Sequence, residues 1–365
     1  MKELLTRTEC TAMRGIAIIG IVLHNYCHFN GRILQENEYQ YLSFNSDRLW
    51  QVLSHPDELL PIHLLSFFGH YGVPVFLFLS GYGLVRKYEA ACDASPSVGR
   101  FTRYNYLKLL RMLIVGFSLF LMVDVVTPGR FTFHWYNVLA QLLMVINVLP
   151  EPDKIIWPGI YWFFGLMMEF YLVYRLLLYR RSNWYVAILI VVCWLLQVFC
   201  APDGDVLNRL RYNFIGGMLP FGLGLFAGRW SGRGVSYRQT GSFLPTNYEF
   251  PTDKPWLWWV VFLGASLLTL AMSFNFQSWL WIPVVIIVGT VALVRALPLW
   301  LLKGVVWFGG LSAAMFVAHP IARKFFLVVA LKQDLYDGLV LYVIATIALS
   351  WAVRQIIDRI PKPTL

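Results

Sequence analysis

Charge is scarce in this chain: 14% of its 365 residues are Asp, Glu, Lys or Arg, against about 25% in soluble domains. Its five cysteines (Cys10, Cys27, Cys92, Cys193 and Cys200) form no C-x-x-C pair and lie mostly in or beside apolar runs, which argues against a disulfide framework or a zinc site. No H-E-x-x-H stretch, internal repeat or linker is visible. These absences exclude a soluble enzyme, a secreted disulfide scaffold and a disordered tail. Apolar residues are abundant instead, at 58%, and 17% of the chain is aromatic, with 15 Trp, 19 Tyr and 27 Phe. Such a composition belongs to a protein that meets membrane interfaces many times.

Apolar runs fall at 12–29, 66–85, 107–126, 134–150, 160–179, 184–200, 212–229, 256–273, 279–297, 305–330 and 337–356, judged by the roughly 20 residues a bilayer demands. The net charge of +10 is explained by basic loops retained on the cytoplasmic side rather than by a nucleic-acid partner. Counting 134–150 as a span would push Arg175, Arg180, Arg181, Arg229, Arg233 and Arg238 outside; leaving it re-entrant or interfacial returns them to the cytoplasm. The sequence thus predicts an all-α, polytopic transmembrane bundle of about ten spans plus one re-entrant or interfacial segment, with both termini cytoplasmic. Lys2, Arg7 and Arg14 precede the first run, but no small-residue cleavage site follows it, so the run reads as a retained helix. The polar stretch 230–255 reads as a cytoplasmic loop, and 1–365 as a single membrane domain.

An ionisable residue inside a span costs about 2.5–3.5 kcal/mol even on insertion scales, so each is a functional candidate. Arg14, Ala17, Ile21, His24 and His28 share one face of the first helix, with His24 about 15 Å along the axis from Arg14. Arg14 suits the interface and His24 the membrane's middle. The spacing of His24 and His28 could seat a metal, but no third ligand is evident and none is expected. Ser80 and Tyr82 close the second run, in a turn that also suits helix packing. Glu169 is a lone acid in an apolar span, suited to a structural pair with a cation or to chemistry. His319 precedes Pro320, which frees a carbonyl one turn back. Gly224 and Gly228 have helix-contact spacing.

Taken in order, five blocks resemble the acyltransferase-3 family of integral membrane O-acyltransferases. They are Met13-Arg14-Gly15 through His24; Gly72-Val73-Pro74 through Ser80-Gly81-Tyr82, similar to the family's "GV..FF.lSGy"; Arg103-Tyr104 through Lys108 and Arg111; Tyr161-Trp162 through Glu169-Phe170-Tyr171; and Phe316-Val317-Ala318-His319-Pro320. The acid often found before the first Arg is replaced by Thr11-Ala12-Met13, Lys108 stands where a second Arg is expected, and the first outer loop is long.

The resemblance implies transfer of an acyl group, usually acetyl, from cytoplasmic acyl-CoA to a hydroxyl of an envelope glycan, a lipid-linked sugar or a small molecule, in a bacterial inner membrane. No permanent cofactor is implied; acyl-CoA is the donor co-substrate. On this reading His24 is the general base. Arg103, Lys108 and Arg111, with Arg14 next, hold the coenzyme phosphates. Glu169 orients an imidazole or binds sugar hydroxyls, while Ser80, Tyr82 and His319 line the substrate pocket. A transporter or flippase using the same polar residues is the alternative, disfavoured by the lack of inverted repeats.

Overall fold

The structure is a computed structural model that describes residues 4–29, 32–90, 96–231, 254–330 and 334–364; Cys92 and positions 232–253 of the expected cytoplasmic loop lie outside the described residues. Among the described residues every regular element is helical. Helix α1 is Arg7–Cys27, α2 Ser43–Ser54, α3 Leu60–Phe68, α4 Gly72–Leu84 and α5 Val98–Val126. Then come α6 Trp135–Leu142, α7 Trp162–Val173, α8 Asn183–Val198, α9 Asp205–Tyr212 and α10 Phe214–Trp230. The last are α11 Pro255–Met272, α12 Phe276–Trp279, α13 Ile282–Ala296, α14 Leu299–Ala330 and α15 Leu335–Arg359.

Helices occupy all ten segments expected to span, and seven stretches are long and apolar enough to cross a membrane. Helices α8 and α13 are shorter apolar helices. The 134–150 segment folds as α6 and a 3-10 turn at Ile146–Val148. At 1.5 Å per residue α6 is about 12 Å long, far short of the hydrocarbon thickness. Helix α11 is almost unburied along its length, and side chains such as Trp256, Val260 and Leu267 are exposed. An apolar face of this kind matches lipid tails, because hydrocarbon does not penalise it as water would.

Local chemistry fixes where α1 begins. The Thr6 hydroxyl accepts from the Glu9 amide at 3.1 Å, and Glu9 accepts the Thr6 amide at 2.7 Å, a reciprocal capping box. The same carboxylate takes the Arg295 guanidinium at 2.7 Å, tying the start of α1 to the end of α13.

Small residues let the helices cross closely. A Cβ on Gly15 would strike the Val305 carbonyl, and one on Gly309 the Thr11 carbonyl. Between α4 and α10, Gly224 abuts the Phe78 carbonyl and Gly81 the Phe221 carbonyl, and Gly228 lies against Val85 and Tyr82. The helix-contact spacing of Gly224 and Gly228 is used as such. In lipid, where the hydrophobic effect between helices is absent, such close backbone approach supplies much of the association.

Helix α14 runs parallel to α1, with Gly309 beside Thr11 and Arg323 beside Asn25. Helix α15 returns antiparallel. Its start receives the Tyr26 hydroxyl at the Leu335 carbonyl, and its end receives Arg111 of α5 at the Ile357 and Ile360 carbonyls. The start of α1 and the end of α15 therefore share one end of the bundle. His24, His28 and the 32–42 loop lie at the other.

Candidate active site

His24 sits near the end of α1, where that helix meets the turn between α3 and α4. The approach needs a residue without a side chain. A Cβ on Gly69 would lie 2.6 Å from both the Gly20 carbonyl oxygen and the His24 Cβ. The imidazole is 5% exposed, and its Nδ1 donates to the Ser66 carbonyl at 2.7 Å. A carbonyl only accepts, so the proton resides on Nδ1 and Nε2 keeps its lone pair. His24 lines a cavity of about 410 Å3, together with His28, Glu36, His70, Trp162 and Arg323. That volume falls within the range of small-molecule sites, roughly 300–1,000 Å3.

The 32–42 loop is fastened over this site by α3. The Leu34 amide donates to His63 Nδ1 at 3.0 Å, and the Ser66 hydroxyl donates to the Leu34 carbonyl at 2.7 Å. Two residues on, Glu36 meets His28 Nδ1 at 2.7 Å. The imidazoles of His24 and His28 stand 5.3 Å apart, and those of His24 and His70 5.6 Å. Three histidines and a carboxylate thus converge on one wall.

Burial works to raise the Glu36 carboxyl, but facing His24 and His28 outweighs it, and the group is held at about 2. Two residues away the opposite holds. Burial, reinforced by the charge on Glu36, pushes Glu38 well above the usual carboxylate range. The loop therefore presents two acids shifted in opposite directions, from one residue type.

His24, His28 and Glu36 each offer a donor atom within 4.8 Å of the others, a group small enough to hold a divalent cation. Two ligands on a tetrahedral zinc lie about 3.3 Å apart. At 2.7 Å the His28–Glu36 pair is instead in direct hydrogen-bond contact. As arranged, the cluster is a hydrogen-bonded one.

Of the residues singled out in the sequence, Ile21 and His28 join His24 in lining this cavity, and Arg14, Ser80, Tyr82, Arg103, Lys108, Arg111, Glu169 and His319 do not. His319 comes nearest in the fold: it is fully buried in α14, Nδ1 donates to the Met315 carbonyl at 2.9 Å, and Nε2 has no hydrogen-bond partner among the described residues. Glu169 has both oxygens engaged, by Asn147 at 2.9 Å and by the Phe214 amide at 2.7 Å. It holds the start of α10, where an acid also complements the helix dipole. Replacing it with Gln should lower thermal stability while leaving turnover per folded molecule within about threefold; a melting curve beside a rate measurement checks this.

Ser80 bonds back to the Phe76 carbonyl at 2.7 Å, and the Tyr82 hydroxyl donates to the Leu5 carbonyl at 2.9 Å, at the start of the chain. Arg14, Arg103 and Lys108 are exposed. The Arg111 Nη2 caps the end of α15 at 2.6 and 2.7 Å.

Four residues of the cluster escaped the sequence reading as site residues. His70 and Arg323 lie within apolar runs, so the same search for ionisable groups in spans finds them, two residues before the Gly72 block and four after His319. Glu36 and Glu38 carry no such mark. They are two of five acids in a long loop, and only the pinning of Leu34 by His63 and Ser66 reveals which of them turn inward.

The fold and site define a membrane-embedded helical bundle with a histidine-lined cavity at one end. A family model described as an acyltransferase domain, acyltransferase-3, matches residues 9–355. The chain belongs to that family, and as such it is an acyltransferase of the membrane. Neither the comparison with curated proteins nor that with solved structures gave a match.

Proposed function

We propose that this protein transfers an acyl group, acetyl first, from cytoplasmic acyl-CoA to a hydroxyl of a cell-envelope glycan or related acceptor in a bacterial inner membrane. The observation that carries the reading is His24: its tautomer is set by the Ser66 carbonyl, and its ring lines the cavity. In the reaction, Nε2 takes the acceptor hydroxyl's proton as that oxygen attacks the thioester carbonyl. The tetrahedral intermediate collapses with departure of the coenzyme thiolate, which the imidazolium protonates.

Positive charge orients the protein. Arg86, Lys87, Arg100, Arg103, Lys108 and Arg111 gather at the end of the bundle that holds the start of α1. The positive-inside rule makes that end cytoplasmic, with ten spans and both termini inside. The exposed Arg103 and Lys108, with Arg14 and Arg111, face the coenzyme phosphates there. The His24 cavity then opens on the envelope side, where an acceptor arrives. A smaller cavity shares His70, Tyr39 and Trp162 with it and continues along α4 and α10 past Leu77 and Gly217, a direction suited to the pantetheine arm.

Glu36 positions the cluster through His28. Glu36→Gln removes the charge but keeps the shape, and turnover of acetyl-CoA with acceptor should fall about tenfold, as for loss of one charge-assisted hydrogen bond. An unchanged rate, measured in nanodiscs, would detach Glu36 from the mechanism. The reading as a whole is tested by saturable binding of acetyl-CoA to purified protein. A folded sample that binds neither short nor long acyl-CoA sinks it.

A further inference from the structure

One strong charge in the cavity has no role in the scheme above. Arg323 lies one helical turn past His319 in α14 and is 4% exposed, yet it forms no ion pair with any carboxylate among the described residues. Its Nη1 donates to the Asn25 carbonyl at 3.3 Å and to the Asn25 side chain at 3.1 Å. Its Nε and Nη2 have no hydrogen-bond partner among those residues. The guanidinium lies 3.7 Å from the centre of the Phe29 ring and 5.6 Å from that of Trp157.

A cation removed from water costs several kcal/mol unless an anion or a full set of acceptors replaces the lost hydration. Three other sheltered cations in this protein meet a carboxylate, whereas Arg111 and Arg211 bond to carbonyl oxygens. Arg229 meets Glu89 at 2.9 Å, Arg295 meets Glu9 at 2.7 Å, and Lys324, the very next residue, meets Asp124 at 2.8 Å. Arg323 has no such partner, and it lines the His24 cavity. The acids that share this cavity are engaged elsewhere or shifted upward by burial. Glu36 is on His28, Glu151 is paired with Lys154, Asp153 accepts the Tyr212 hydroxyl, and burial pushes Glu38 well above the usual carboxylate range.

Placement also separates Arg323 from the coenzyme side. Phe29 follows the end of α1, and Trp157 stands in the loop before α7. The guanidinium is therefore held at the loop-facing end of the cavity by two aromatic faces, with donors free and its plane fixed. A planar fork so held is suited to a carboxylate or phosphate. The same walls carry Trp157, Trp162 and Tyr39, flat faces of the kind that pack on sugar rings.

We infer that Arg323 is an anion-recognition residue of the acceptor site, and that the acceptor is a sugar or related alcohol bearing a carboxylate or phosphate beside the hydroxyl to be acylated. The inference rests on the reading of this cavity as the acceptor site. Binding of the acceptor replaces the missing counter-ion, so the charged group orients the neighbouring hydroxyl toward His24. A neutral sugar of the same shape leaves Arg323 unpaired and binds less tightly.

The test measures binding separately from chemistry. Saturation-transfer NMR on the full-length protein in nanodiscs would compare methyl β-glucuronoside and glucose 6-phosphate with methyl β-glucoside. The wild type should bind at least one of the charged sugars about tenfold or more tighter than the neutral one, the worth of a charge-assisted pair; which one wins separates carboxylate from phosphate. Arg323→Gln should erase that preference and leave binding of the glucoside in place, while Arg323→Lys, which keeps the charge but not the fork, should restore part of it. Melting curves confirm that both variants are folded. Equal binding of charged and neutral sugars by the wild type overturns the inference. So does a glutamine variant that keeps the preference. If transfer is then assayed, an Arg323→Gln loss that is equal for charged and neutral acceptors, with no change in KM, assigns the residue to charge on the acyl carbonyl and likewise overturns it. Acetyl-CoA hydrolysis, followed in parallel, reports on the acyl-transfer reading alone, so the failure of either idea is visible without the other.

Discussion

His24→Ala should abolish acyl transfer, lowering turnover by about 10²–10⁴-fold, the usual contribution of a positioned general base. The expectation rests on one geometric fact. The Ser66 carbonyl holds Nδ1 at 2.7 Å, so the ring cannot rotate to offer the other nitrogen without losing that bond. A substitution that removes the ring also leaves the Ser66 carbonyl unpaired, at about 1–3 kcal/mol, so the melting temperature must be recorded with the rate. His24→Gln supplies the control, because its amide can still donate toward Ser66 but cannot serve as a base at neutral pH. Both variants should bind acetyl-CoA with wild-type affinity, since the proposed site for the coenzyme phosphates is at the opposite end of the bundle. Turnover within twofold of wild type in a folded His24→Ala sample removes His24 from the mechanism.

The second large effect is on folding. Gly309→Val should strip the protein of its stable fold, because a Cβ at that position drives into the Thr11 carbonyl. Overpacking against a movable side chain costs about 1–3 kcal/mol; here the obstacle is backbone in a capped helix, and the cost lies at or above the top of that range. Gly15→Val attacks the same crossing from the other side, at Val305. Gly304 lies in the same helix as Gly309, and a Cβ there would meet nothing within 4 Å, so Gly304→Ala should be neutral. Gel filtration and thermal melting of the three variants decide the matter. A Gly309→Val sample that is monodisperse and melts with the wild type refutes the close-packed crossing. The stakes are functional too, because α1 carries His24 and α14 carries Arg323.

The bundle itself was legible in the sequence because bilayer thickness imposes a length on every apolar run, and helices stand at all ten expected segments. For the 134–150 segment, arginine bookkeeping predicted a re-entrant or interfacial course, and the structure shows α6 to be too short to cross. His24 announced itself as an ionisable group on a helix facing the bundle. Its partners did not. Ser66 acts through a backbone carbonyl, which every residue possesses, and Glu36 acts from a loop whose course depends on hydrogen bonds to His63 and Ser66 thirty residues away. Periodicity reports which face of an element is buried, not which loop folds back upon it. Glu169 shows the converse. Its isolation in an apolar span was a sound signal of importance, but its two oxygens serve the start of α10, a partner with no mark in sequence because it is a bare amide.

The parallel course of α1 and α14 has a consequence for the order in which this protein is made. His24 leaves the ribosome nearly three hundred residues before Phe316 and Arg323, which complete the wall around it. Until then the imidazole stands in an open groove with no enclosed cavity and no fixed cation opposite. A chain cut short before α14 would insert its early helices and display His24, but it would lack the chamber. The enclosed cavity thus arrives only with α14, and a molecule without it has no chamber to work in.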